Sequence, residues 1–134
     1  MIFVFDASAM IAALRGEPGA SLVKAILLDQ GNRCFAHVVN LCEVFYDFHR
    51  SGGPAAAIQA MRDLASAGIV ENSEISEAFW QEVATTKAIH RRVSLADCFA
   101  VTLANQLGAS VLTSDHHEFD ALAIKGVCAV RFIR

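Results

Sequence analysis

Proline occurs twice and glycine eight times in 134 residues, and neither dominates any stretch. Collagen-like and low-complexity chains require the opposite. Charged residues make up only 19%, against 54% apolar residues and a mean hydropathy of +0.42. A disordered chain does not carry that much apolar side chain. Basic residues are not in excess, since 11 Lys and Arg face 14 Asp and Glu for a net charge of −3. Taken alone, that balance argues against holding nucleic acid on a broad basic patch. No apolar run reaches the ~20 residues of a spanning helix before a charge interrupts it. No basic segment precedes the opening Met1-Ile-Phe-Val-Phe-Asp6, so no secretory signal is read there. The expectation is a cytoplasmic protein without a membrane partner. Cys34, Cys42, Cys98 and Cys128 share no C-x-x-C spacing and sit in apolar stretches. They are expected to be buried free thiols in a reducing compartment, not disulfides or a zinc site. His116 and His117 are adjacent and lack any H-x-x-x-H or H-x-x-E-H spacing, so they are read as exposed turn residues.

What the chain does have is an alternation of periods. Short apolar runs at Ile2–Phe5, Arg33–His37, Ile69–Glu71, Ser110–Thr113 and Val127–Phe132 read as strands. Between them lie helical stretches: Ser8–Arg15, Pro18–Gln30, Val39–Arg50, Pro54–Ala67, Ile75–His90, Leu95–Leu107 and His116–Ile124. Glycines and prolines stand at most of the junctions. Strands separated by helices predict an α/β layer fold with a mainly parallel sheet, and the length suits one domain over residues 1–134. In such sheets ligands bind beyond the carboxyl ends of the strands, at a topological switch point. The high apolar fraction is compatible with a partner surface.

Four carboxylates fit a site of that kind. Asp6 directly follows the first strand and either belongs to a site or caps the next helix. Asp115 repeats the pattern after Ser110–Thr113, with an Asx-turn as the rival reading. Asp97 lies on a helix that is apolar nearly all round, where a carboxylate is costly unless paired or metal-bound. Ser94-Leu-Ala-Asp97 also matches a capping box, and both readings hold together. Glu43 shares a narrow polar stripe with Asn40, Asp47 and Arg50, the pattern of a solvated helix face. Asp47 lies one turn beyond any shared cleft, Asp120 reads as a surface residue, and Arg91-Arg92 alone make no RNA track. Phe79, Trp80, Phe45, Tyr46 and Phe48 are read as packing or interface residues.

These motifs together resemble a PIN domain, and in particular the small VapC-like toxins of prokaryotic type II toxin–antitoxin pairs. The carriers are Ile2-Phe-Val-Phe-Asp6-Ala-Ser8, Val-Asn-Leu-Cys-Glu43-Val, Ser94-Leu-Ala-Asp97 and Val111-Leu-Thr113-Ser-Asp115-His-His-Glu-Phe119. Each is short, but they occur in the family's order across essentially the whole chain. The resemblance implies a five-stranded, mainly parallel sheet of order 3-2-1-4-5 with helices on both faces. That order sets Asp6 and Asp115 side by side. It also implies that Asp6, Glu43, Asp97 and Asp115 hold divalent metal, with Asp6 and Asp97 the foremost ligands and Ser8 and Thr113 supporting. Cys98-Phe99 after Asp97 departs from the small or aliphatic residues usual in the family.

Carboxylates packed together repel and raise one another's pKa, which a cation relieves. An all-oxygen set suits Mg²⁺, with Mn²⁺ as a substitute, better than Zn²⁺. The implied function is a metal-dependent endoribonuclease, the toxin of a type II pair, with RNA as substrate, a VapB-like antitoxin as partner and a homodimeric state. The alternative is a PIN-like protein-binding module without nuclease activity. Setting the four candidate acids aside leaves ten acids against 11 bases, so the acidity is concentrated in the proposed site.

Overall fold

The computed structural model describes all of residues 1–134. Strands β1 (Ile2–Phe5), β2 (Arg33–His37), β3 (Ile69–Asn72), β4 (Ser110–Thr113) and β5 (Ala129–Phe132) form one sheet in the order β3-β2-β1-β4-β5. Every neighbouring pair is parallel. The helices are α1 (Ala7–Arg15), α2 (Ala20–Leu28), α3 (Val38–Gly52), α4 (Pro54–Ser66), α5 (Glu77–Ile89), α6 (Leu95–Leu107) and α7 (His116–Ile124). The α/β class and the strand order are those expected.

Both faces of the sheet's centre are covered, which is why β1 reads as a continuous apolar run, while the edge strands β3 and β5 keep exposed positions. Phe3 and Phe5 of β1 point into one core with Met10, Val23, Ile26, Val44 and Leu64 from α1 to α4. Val4 between them points the other way, into a core with Phe79, Val83, Leu103, Phe119 and Leu122 from α5 to α7. Helix α6 is buried along most of its length, as its all-round apolar surface predicted.

Three expectations about local structure are corrected. The second helix starts at Ala20, not Pro18, because Gly19 holds a positive φ of 95° and is pressed against the C-terminal Ile133. The first helix starts at Ala7, not Ser8, because Asp6 caps it by accepting from the Ala9 amide. Of the thiols, Cys34, Cys98 and Cys128 are buried, but Cys42 is exposed on the outer side of α3. Phe45, Tyr46 and Trp80 are also largely exposed, whereas Phe79 is core.

Histidine 37 is a structural feature that the sequence reading did not single out. It is fully buried and stacks on Phe79 at 5.3 Å. Its Nδ1 accepts from the Val39 amide, capping α3, which leaves the Nε2 proton to donate to the Glu74 carbonyl. That fixes the entry of α3, the helix carrying Glu43.

A candidate active site at the carboxyl ends of β1 and β4

The chain leaves β1 toward β2 on one side and places β4 on the other, so the boundary between β1 and β4 is the switch point of the sheet. Register pairs Phe5 with Leu112, and the Asp6 amide continues the ladder by donating to the Leu112 carbonyl at 3.1 Å. Asp6 and Thr113 are therefore neighbours across the two strand ends. Helices α1 and α7 start at these ends and are capped by Asp6 and Asp115 respectively. The N-terminus of α6 enters the same crevice, carrying Asp97 in its first turn above the Ser94 cap. Both readings of the Ser94–Asp97 segment hold at once: the amide is capped and the carboxylate faces the cleft.

Carboxylate oxygens of Asp97, Asp115 and Glu118 lie within 4.8 Å of one another. Glu118 is the residue that sequence reasoning missed. It follows Asp115 at i+3 in a capping relationship, its amide donating to Asp115 Oδ1 at 3.1 Å. The Asp-x-x-Glu spacing after a strand end was the available signal. Glu118 Oε2 is buried and has no hydrogen-bond partner. An orphaned carboxylate oxygen inside a group of acids is costly by itself, and a cation bound there would relieve that cost.

Asp6 is 1% exposed and both of its oxygens accept hydrogen bonds. Oδ1 accepts from the Ser8 hydroxyl at 2.7 Å and the Ala9 amide at 2.9 Å, and Oδ2 accepts from the Thr113 hydroxyl. Ser8 also accepts from the Ser114 amide at 2.9 Å, tying the two strand ends together. Ser8 and Thr113 thus orient Asp6 directly. Asp6 stands beside the Asp97–Asp115–Glu118 group and not within it. Glu43 lies on the exposed side of α3, still close enough to feel the charges of Asp6 and Glu118. Asn40, one turn earlier, is fully buried and donates to the Ala96 carbonyl at 3.2 Å, which joins α3 to the start of α6. Asp47 is outside the cluster, paired with Arg15 at 2.7 Å and Arg50 at 2.9 Å. Asp120 is a surface residue paired with His116 at 2.8 Å, and the ring of His116 stacks on Phe132.

Burial shapes the titration of the cluster. It raises the Asp6 carboxyl to about 6, although Thr113, Ala9 and Ser8 pull the other way. Burial lifts Asp97 far above the carboxylate range, and a shared hydrogen bond with Glu118 and the charges of Asp6, Glu118 and Glu43 add to it. Glu43 is raised by partial burial and by the charges of Asp6 and Glu118. Protons held on carboxylates raised in this way would compete with any cation bound among them. An all-oxygen donor set of this kind fits Mg²⁺ or Mn²⁺ and not Zn²⁺.

Comparison with known proteins bears on the fold. No curated protein matches the sequence. The fold is similar to that of VapBC2 from Rickettsia felis, solved bound to a DNA fragment from its promoter, with a TM-score of 0.75, 14% identity and 98% of each chain covered. It is also similar to Mycobacterium tuberculosis VapC20, a sarcin-ricin loop cleaving toxin, with a TM-score of 0.71 and 19% identity over 90% of this chain and 95% of that one. VapBC-1 from nontypeable Haemophilus influenzae gives a TM-score of 0.70 at 18% identity, covering 99% of this chain and 98% of that one. At these identities the likeness is one of fold. The family model of the PIN domain matches residues 3–125, a span that holds every carboxylate described above. The chain belongs to the PIN-domain family.

Proposed function

We propose that the protein is a divalent-metal-dependent endoribonuclease and the toxin of a type II toxin–antitoxin pair. The observation that carries this reading is the meeting of Asp97, Asp115 and Glu118 with the orphaned Glu118 Oε2 among them, at the switch point of a PIN fold. Asp97, Asp115 and Glu118 would hold Mg²⁺ or Mn²⁺, with Asp6 contributing directly or through water. A bound divalent cation supplies Lewis acidity toward the phosphodiester and the attacking water. The remaining work falls to side chains of the chain itself. Ser8 and Thr113 hold the Asp6 carboxylate in one orientation, so the ligand set does not need to reorganise when a substrate arrives. Glu43 stands at the mouth with a raised pKa, suited to orient a water and accept its proton. Asn40 fixes the distance between that helix and the Asp97 turn.

A VapB-like antitoxin and a second copy of the chain are the proposed protein partners. Support comes from the VapBC neighbours and from exposed apolar side chains such as Phe45, Tyr46 and Ile58 on α3 and α4. The test is incubation of purified protein with a panel of structured RNAs in Mg²⁺, Mn²⁺ and EDTA, beside the Asp6→Asn/Asp97→Asn variant. Cleavage is expected only for the native protein with metal. Cleavage in EDTA or by the double variant would refute the mechanism. Absence of both cleavage and metal binding would assign the chain to the non-enzymatic, protein-binding class.

A further inference from the structure

A second cleft of about 250 Å³ opens beside the carboxylates, between the turn that follows α5 and one face of α7. Its floor is apolar, formed by Val93 and Leu122 with Ile89 and Ala121 at the edges. Its rim is cationic or cationisable: His90, Arg91 and Arg92 on the turn, His117 and Lys125 on α7. Glu118 is the single acid in its wall and also belongs to the carboxylate group, so the cleft adjoins the proposed catalytic centre through that residue.

Two features make this cationic group available to a ligand. Arg91, Arg92 and Lys125 form no ion pair, unlike Arg15, Arg50, His116 and Arg134, and of the bases left without one they are those that line this cleft, whereas Lys24, Arg33, Arg62 and Arg131 do not. The turn is also braced from behind. Lys87 Nζ donates to the carbonyls of Arg91 and Val93 at 2.7 Å each, and the Val93 amide returns to the His90 carbonyl at 3.0 Å. Lys87 is thereby occupied, while the two arginine side chains remain free on a backbone that is already ordered. Ordering a turn in advance lowers the entropy lost when a ligand binds.

We infer that this cleft is the subsite for the single-stranded RNA flanking the scissile bond, with Arg91, Arg92 and Lys125 on phosphates and a base laid over the Val93–Leu122 floor. The inference rests on the nuclease reading above and deepens it. The cleft is smaller than the roughly 300–1,000 Å³ that encloses a typical small ligand, and it is open to solvent, which suits a strand lying across it. Cations beside an apolar floor are the combination that tracks a backbone while accepting a base face. The acidic centre cannot attract a polyanion by itself, and this rim supplies the positive charge that a net −3 chain lacks at that point.

The test is fluorescence anisotropy of a 5′-labelled single-stranded RNA of about ten nucleotides in CaCl₂ at several salt concentrations. The Arg91→Ala/Arg92→Ala variant is compared with Lys24→Ala/Arg62→Ala, which removes the same charge from exposed, unpaired positions on α2 and α4. The first pair should weaken binding by at least tenfold and flatten the log–log salt dependence by about 1.4, from about 0.7 per phosphate contact on a single strand. The second pair should change neither by more than a factor of about two. Arg91→Lys/Arg92→Lys, which keeps the charge and the fold, should recover most of the affinity. Equal losses from both alanine pairs, or an unchanged affinity of the first, overturn the inference. So does wild-type protein that binds no RNA, including the case where the turn binds a protein partner instead. Binding through the cleft without cleavage in Mg²⁺ would overturn the nuclease reading alone. Cleavage by the Arg91/Arg92 variant with native KM would overturn the subsite alone.

Discussion

The Thr113 hydroxyl at the end of β4 donates to Oδ2 of Asp6 at the end of β1, and the same oxygen of Thr113 accepts from the Asp115 amide at 3.0 Å. One side chain therefore locks two strand ends and orients two carboxylate-bearing residues. Because β1 and β4 are adjacent only through the sheet, 107 residues of chain separation are closed by this contact.

Thr113→Val keeps the shape and removes both bonds. A hydrogen bond to a charged acceptor contributes about 1.5–3 kcal/mol, and leaving the buried Asp6 oxygen without it adds a desolvation cost. The variant should lose about 2 kcal/mol in urea denaturation with the m-value unchanged, and its Asp6 carboxyl should rise further above 6. A native midpoint would show that the hydroxyl does not hold the carboxylate.

Glu118→Gln should separate stability from ligation. In the metal-free protein, Glu118 raises the Asp97 carboxyl by hydrogen bonding and by charge. Removing that charge should raise the metal-free Tm by a few degrees, equivalent to about 1 kcal/mol. The same change should weaken Mn²⁺ binding by tenfold or more, since a ligand oxygen is lost. Lower Tm together with native Mn²⁺ affinity would contradict the placement of Glu118 in the metal group.

The cluster also fixes a pH dependence. Asp6 titrates at about 6 in the folded chain against 3.8 as its ordinary value, and Asp97 and Glu43 move in the same direction. The folded state binds these protons more tightly than the unfolded state, so their contribution to stability is complete below about pH 4 and declines as pH rises through 6. Metal competes with the same protons. Mg²⁺ should therefore raise Tm more at pH 7.5 than at pH 5, and in Asp97→Asn that difference should shrink. Equal Mg²⁺ effects at both pH values would show that the metal does not bind at these groups.

Gly19→Ala probes how the C-terminus closes the fold. A Cβ there would meet the Ile133 carbonyl at 2.6 Å, at a φ of +95° that L residues avoid. A loss of about 2 kcal/mol or more is expected by thermal melting, from backbone strain and displacement of the final residues. A native Tm would mean that the C-terminal segment does not pack on α2.

Much of the fold was legible because the central strands β1 and β4 are buried on both faces and most helices are bounded by glycine, proline or a capping side chain. Asp6 and Asp115 were recognisable from their places just after strands, whereas the adjacency of those strands came from the family resemblance and not from periodicity. Glu118 was hidden because a glutamate in the first turn of a surface helix has a sufficient local explanation as a cap partner. Only the folded chain brings it within 4.8 Å of Asp97 and Asp115. The stripe of Asn40, Glu43, Asp47 and Arg50 divided for a similar reason. Packing of α3 on both α1 and α6 buries Asn40, and Asp47 is claimed by Arg15 of α1. Cys42 read as buried from its apolar neighbours, but on a helix those neighbours face other directions.

The central claim is that these carboxylates form one divalent-cation site. Mn²⁺ titration followed by electron paramagnetic resonance tests it most directly, with the native protein compared against Asp6→Asn/Asp97→Asn and Glu118→Gln. The account predicts saturable Mn²⁺ binding by the native chain, competed by Mg²⁺, weakened tenfold or more by Glu118→Gln and abolished in the double variant. Native affinity in the double variant would contradict it.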